Sequence, residues 1–219
     1  MNAMSERLTS RSLLLLKTLH NGGPDRWVYT RELAQLAKVS TSTASIECRK
    51  LAKKGMLLSK SEGREKSYKI NLSNEPARKL YELFEVERRE EFYNKYRRLA
   101  WSLQDLAKRV FEHLPQIQTV VLFGSAARGQ LTKTSDVDLL VIVPTSEQEA
   151  FNALMRSVDS LAAVVRGRYG FPLSPVTMTV QDFEVAFREK KRIAQDVLNE
   201  GIVLFGEERY YQLLARVLS

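Results

Sequence analysis

Apolar residues in "TSRSLLLLKTLH", residues 9–20, return at helical spacing, and Asn21-Gly22-Gly23-Pro24 closes that helix with αL-tolerant residues and a proline. A second short helix fits "TRELAQLAKV", with Thr30 as its N-cap and Leu33, Leu36 and Ala37 turned inward. Val39-Ser40 makes the turn, and Ser40 caps a third helix, "TSTASIECRKLAKKG", that Gly55 ends. On that helix Ala44, Cys48 and Leu51 fall at i, i+4 and i+7 and face a core. "MLLSKSEGREKSYKINL" then reads as strand, polar turn, strand. Residues 73–115 lack glycine and hold Pro76 where helices begin, which predicts a long helical stretch. Within it Phe92, Tyr96, Leu99, Leu103, Leu106 and Val110 step by four and three, a heptad-like seam. Arg88 interrupts the seam upstream, so a bend is expected at 87–89. Two uses of the seam are open: self-association, or packing against the C-terminal domain. Beyond it come the strand "TVVLF" (119–123), the strand "VDLLVIV" (137–143), a helix over about 147–168, an alternating strand in "PLSPVTMTV", and a helix and short strand in "RIAQDVLNEGIVLFGEE".

The chain has 219 residues, enough for two small domains with separate cores. No run approaches the roughly 18 apolar residues of a membrane span, so no membrane partner is expected. The four N-terminal leucines lack the length and the cleavage site of a signal peptide. With Cys48 as the single cysteine no internal disulfide can form, which predicts a reducing, cytoplasmic setting.

Charge changes the picture more. Residues 1–73 hold 14 Lys+Arg against 6 Asp+Glu, while residues 74–219 hold 20 of each sign. The whole excess of +8 therefore sits in the first third, the mark of a module that meets a polyanion. Thr41, Ser42, Thr43, Ser45 and Arg49 point outward from the third helix, and short hydroxyls with one long cation suit a major groove. Lys50, Lys53, Lys54 and, in the hairpin turn, Arg64 and Lys66 are placed to neutralise phosphates. Helix, helix, turn, helix and hairpin over residues 8–72 resemble a winged helix-turn-helix domain, with "VSTSTASIECRKLAKKGML" similar to the recognition-helix region of MarR- and ArsR-type regulators. The resemblance implies double-stranded DNA as a partner, and a homodimer if the heptad seam pairs two copies on a two-fold site.

The neutral part carries different chemistry. Gly124-Ser125 ends one strand and opens a helical turn, where a close backbone and free N–H groups attract phosphate. Asp136 and Asp138, two apart at the mouth of the next strand, emerge on one side of it and repel each other unless a cation lies between. Hard oxygens without nearby His or Cys suit magnesium or manganese.

"GSAARGQLTKTSDVDLLV" resembles the signature of minimal nucleotidyltransferases in the DNA polymerase β-like superfamily. The resemblance spans about residues 100–210. It implies Gly124, Ser125, Arg128 and Ser135 at a nucleotide, with Asp136 and Asp138 as metal ligands and catalytic acids. It also implies Mg2+ or Mn2+ with a nucleoside triphosphate, ATP being the expected one. Such proteins resemble antitoxins paired with HEPN-type toxins. One departure stands out. The family places a third acid on the next strand, whereas "PLSPVTMTV" has no carboxylate, and Asp182 just beyond reads as a helix-start acid.

The expected fold is α+β: a winged domain at 1–73, a helical connector at 74–115, and a nucleotidyltransferase-like domain with a small mixed sheet at 116–219. Three functions fit. The first is a DNA-binding regulator that also transfers nucleotidyl groups to a hydroxyl, antitoxin-like toward a partner protein. The second is a transcription factor whose degenerate transferase fold senses nucleotides or serves as an assembly platform. The third, an RNA end-modifying enzyme, lacks a further basic RNA-binding region.

Overall fold

The computed structural model describes residues 8–63, 65–132 and 135–218. The chain divides into two compact units, the first running to Tyr81 and the second covering Glu82–Val217.

In the first unit the order is α1 (Ser10–Asn21), β1 (Val28–Tyr29), α2 (Thr30–Leu36), α3 (Thr41–Lys53), β2 (Leu57–Glu62) and β3 (Glu65–Ile70). The three strands form an antiparallel sheet in the order β1-β3-β2. Thr9 caps α1 and Ser40 caps α3, each hydroxyl accepting a backbone N–H three residues on, at 3.0 and 3.1 Å. Ala44, Cys48 and Leu51 are buried on α3 as the spacing predicts. Burial pushes the Cys48 thiol up to about 12, which marks a core residue rather than a nucleophile. The buried Glu47 carboxylate accepts from Ser12 Oγ (2.6 Å), Thr9 Oγ1 (2.9 Å) and Lys50 Nζ (3.1 Å), and these bonds, Ser12 foremost, hold it below the usual carboxylate range.

Helix α2 departs from expectation in two details. The Thr30 hydroxyl donates to the Lys66 carbonyl at 2.9 Å rather than capping, because α2 lies beside β3. Leu36 is 53 % exposed, and the inward face is Leu33, Ala34 and Ala37. The two-residue strand β1 had no periodicity to announce it; its pairing with β3 creates it.

Helix α4 (Glu75–Lys95) starts in the first unit, where Ala77 and Tyr81 are buried and Tyr81 meets the His20 ring edge-on at 5.0 Å. The bend expected at 87–89 is absent: α4 runs through it, and the break falls at Tyr96, before α5 (Arg97–His113). Arg88 and Arg89 do not interrupt the helix because backbone acceptors meet them. Arg88 Nη2 donates to the Glu200 carbonyl at 3.0 Å, and Arg89 Nη1 to the Val203 carbonyl at 3.1 Å.

The rest of the second unit is β4 (Thr119–Leu122), α6 (Gly124–Ala127), β5 (Val137–Val143), α7 (Gln148–Tyr169), β6 (Leu173–Thr179), α8 (Val180–Arg188), α9 (Arg192–Glu200), β7 (Ile202–Phe205) and α10 (Glu207–Val217). Its four-stranded sheet is mixed, ordered β6-β5-β4-β7, with β5 parallel to β6 and β4 antiparallel to both neighbours. The heptad-like seam belongs to this core: Phe92, Leu99, Leu103, Leu106 and Val110 are buried in it and Tyr96 packs against it. Of the two uses open to the seam, packing within the chain is the one taken. No helix among the described residues is long and apolar enough to cross a membrane.

Candidate functional site

Antiparallel pairing of Leu122 with Leu139 brings the end of β4 to the start of β5, and the Phe123 N–H donates to the Asp138 carbonyl at 3.1 Å. The next residue, Gly124, therefore lies directly against Asp138. Its φ of +71° is left-handed, and a Cβ built on it would overlap Asp138 Oδ2 and stand 3.3 Å from Cγ. Only glycine lets this backbone approach that carboxylate. Helix α6 is a single turn to which Phe123 lends no side-chain cap. Ser125 follows Gly124 there, and its hydroxyl makes no hydrogen bond among the described residues. Strand β5 is buried along its length except at Asp138, which is partly exposed, and Asp136 just before it is exposed.

The electrostatics match a cation-requiring pair. Burial holds the Asp138 carboxyl above the ordinary carboxylate range, the Asp136 charge lifts it further, Arg128 draws it down, and Asp196 adds a smaller rise. A divalent ion beside the two acids would reverse that repulsion. Among the described residues no three His, Cys, Asp or Glu side chains converge on one point. Magnesium is commonly held by one or two carboxylates plus water and substrate phosphate, and the donor set present here fits that habit.

Arg128, the next of the predicted site residues, caps the end of α6; its Nε donates to Gln130 Oε1 at 3.1 Å and its Nη1 pairs with Glu200. The Ser135 hydroxyl is spent on its own turn, accepting from the Thr132 N–H at 3.1 Å and meeting Thr132 Oγ1 at 2.7 Å. Strand β6 bears no acid. Its register sets Ser174 opposite Asp138, on the same face of the parallel pair, where a third carboxylate would have to stand. Asp182 forms a capping box with Thr179, receiving its hydroxyl at 2.7 Å, so it serves the start of α8. Asp196 and Glu200, on α9, went unnoticed in the sequence. They stand four apart beside a run of buried residues, and nothing local marks them as neighbours of Arg128 and Asp138.

The first unit offers a second surface. Tyr29, Thr30, Thr41, Ser45, Arg49 and Lys66 line one groove of about 410 Å³ between the start of α2, the outer face of α3 and β3. Of the residues predicted for DNA, Thr41, Ser45, Arg49 and Lys66 share it. Ser42 and Thr43 hydroxyls lie 2.8 Å from Ser40 Oγ, Lys50 is tied to the buried Glu47, Lys53 is exposed near the end of α3, and Arg64 lies outside the described residues.

Residues 103–202 match the family profile described as a nucleotidyltransferase domain. The chain is 28 % identical over 108 residues to the protein adenylyltransferase MntA of Aphanizomenon flos-aquae (strain 2012/KM1/D3), an alignment covering 48 % of this chain and 68 % of that one. A crystal structure of a toxin-antitoxin with AMP-PNP aligns at 20 % identity and a TM-score of 0.37, over 53 % of this chain and 82 % of that one. The matched stretch, from within α5 to the start of β7, is thus similar to a nucleotidyltransferase domain.

Proposed function

We propose that the second unit binds a metal–nucleoside triphosphate between Asp136, Asp138 and the Gly124-Ser125 turn, and transfers its nucleotidyl group to a hydroxyl acceptor. The observation that carries this reading is the contact of Gly124 with the Asp138 carboxylate, which unites a phosphate-binding turn and a paired-acid ligand set. Asp136 and Asp138 would hold Mg2+ or Mn2+, which would supply charge neutralisation for the triphosphate. The Gly124-Ser125 turn receives phosphate oxygens through backbone N–H groups and the Ser125 hydroxyl. Arg128 stands next to the pair as a cation for the developing charge. The acceptor oxygen bonds to the α-phosphorus, its proton leaves to solvent or a nearby carboxylate, and pyrophosphate departs. Since the Aphanizomenon flos-aquae relative is named a protein adenylyltransferase, the acceptor proposed here is a hydroxyl on a partner protein, with ATP as donor. The antitoxin resemblance points to a partner of the HEPN toxin type.

A second reading rests on Ser174. With serine opposite Asp138 where a further acid would act, the domain binds nucleotide as a sensor without turnover. The two separate in one experiment, in which the protein and its co-purified partner are incubated with α-phosphate-labelled ATP and magnesium or manganese. Label on the partner supports transfer. Thermal stabilisation by magnesium–ATP without label supports the sensor. Neither effect, with any nucleoside triphosphate, removes both.

For the first unit we propose docking on duplex DNA through the groove of Thr41, Ser45, Arg49 and Lys66, the geometry of a winged helix-turn-helix. Its support is the location of the chain's whole excess charge and the clustering of these four residues. Arg49→Ala is expected to weaken specific binding by about 1–3 kcal/mol, and Lys66→Ala to lower the salt slope by about 1. Fluorescence anisotropy over a salt series on the protein's own promoter measures both. Affinity indifferent to salt, or unchanged in both variants, ends the proposal.

A further inference from the structure

We infer that the cleft where α4 gives way to α5, beside the far end of α6, is a second ligand site shaped for a small anion with a flat apolar body. The cleft encloses about 450 Å³, within the range of small-molecule pockets. Its apolar lining is Leu99 and Ala126, both buried, with the partly buried Tyr96, Leu131 and Phe171. Its remaining lining includes the cations Lys95, Arg97 and Arg98. The Tyr96 ring is fixed against backbone, since Gly129 has a φ of +70° and a Cβ there would overlap the Tyr96 hydroxyl. Tyr96 also packs on Phe92, ring centroids 4.9 Å apart, and Lys95 Nζ stands 5.2 Å from its centroid, so aromatic surface and cation lie together in the cleft.

The charges point to the other half of the ligand. Arg97 and Arg98 are exposed and have no carboxylate partner among the described residues. Both stand in the first turn of α5, where the helix dipole disfavours cations, and that turn has no acid and no side-chain cap from Tyr96. Folding gains nothing visible from this arrangement; an anion in the cleft satisfies it. A phosphate or a carboxylate would do so equally, through charge-assisted bonds to the two guanidinium groups. The cleft is distinct from the nucleotide cradle. Ala126 and Gly129 border it, whereas Gly124 abuts Asp138, and neither Asp136 nor Asp138 is among its lining residues.

Titration calorimetry on the full chain tests this with 1-naphthyl phosphate, 1-naphthoate and the neutral 1-naphthalenemethanol. Saturable binding of one or both anions is expected, roughly tenfold or more tighter than the neutral analogue and weakened to a similar extent in the Arg97→Ala/Arg98→Ala variant. Which anion binds better identifies the headgroup. Binding should persist in Asp138→Asn and in the presence of magnesium–ATP, so failure of the nucleotide site would leave this result untouched. No saturable heat with either anion, equal binding of the neutral analogue, full affinity in the double variant, or displacement by magnesium–ATP would each overturn the assignment.

Discussion

Replacing Asp138 by asparagine is expected to make the metal-free protein more resistant to heat at neutral pH, while removing the stabilisation that magnesium–ATP gives the wild type. The folded chain holds the Asp138 carboxyl above its ordinary range, chiefly by burial and then by the Asp136 charge. A carboxylate whose folded pKa exceeds its unfolded value of about 3.9 binds its proton more tightly in the folded state. Its ionised form therefore costs stability at neutral pH. That cost fades as pH falls through the raised folded value toward the unfolded one. Asparagine keeps the shape and never ionises, so it removes the cost at every pH. The gain in melting temperature over wild type should thus be largest near neutral pH in EDTA and vanish in acid. Nucleotide shows the opposite sign. A ligand at a hundred times its Kd stabilises the folded state by about 2.7 kcal/mol, and the variant should lose this along with any labelled product. An Asp138→Asn protein that melts at or below wild type in EDTA, or still responds fully to magnesium–ATP, would contradict the charge pairing on which the site rests.

Gly124→Ala should both destabilise the second unit and cost it nucleotide binding. At a φ of +71° the left-handed backbone alone costs a non-glycine residue about 1–2 kcal/mol. The new Cβ would also drive into the Asp138 carboxylate, an overpacking whose usual cost is about 1–3 kcal/mol. Gly170, at a φ of +78° with nothing within 4 Å of its would-be Cβ, separates the two effects. Gly170→Ala should show the backbone cost alone and bind nucleotide normally. Gly124→Ala should unfold at clearly lower urea than Gly170→Ala and lose nucleotide binding, as its methyl displaces Asp138 or the turn. Equal urea midpoints for the two, with nucleotide affinity retained in both, would mean that the turn does not depend on the close approach.

Much of the first unit could be read directly because its signals are local. The inner face of α3 follows from residues four and three apart, and the Ser40 cap acts on an N–H three residues ahead. Leu36 misled because a short helix can roll, and its neighbours in space decide which face is covered. In the second unit the approach of Gly124 to Asp138 has a similar source. Strands β4 and β5 pair antiparallel, so the end of the first and the start of the second lie side by side.

What the order of residues determined, then, was where helices and strands form, where the charge excess lies, and that a glycine turn ends one strand while two acids open another. Only tertiary packing decided that α4 stays unbroken at Arg88 and Arg89, that the heptad-like seam is core, that Glu200 holds Arg128, and that Tyr96 walls a cleft beside Gly129. Periodicity and capping act over a few residues and are written along the chain. An arginine's choice of partner depends instead on which desolvated carbonyl or carboxylate folding brings within reach, and Arg89 finds its own on Val203, far along the sequence.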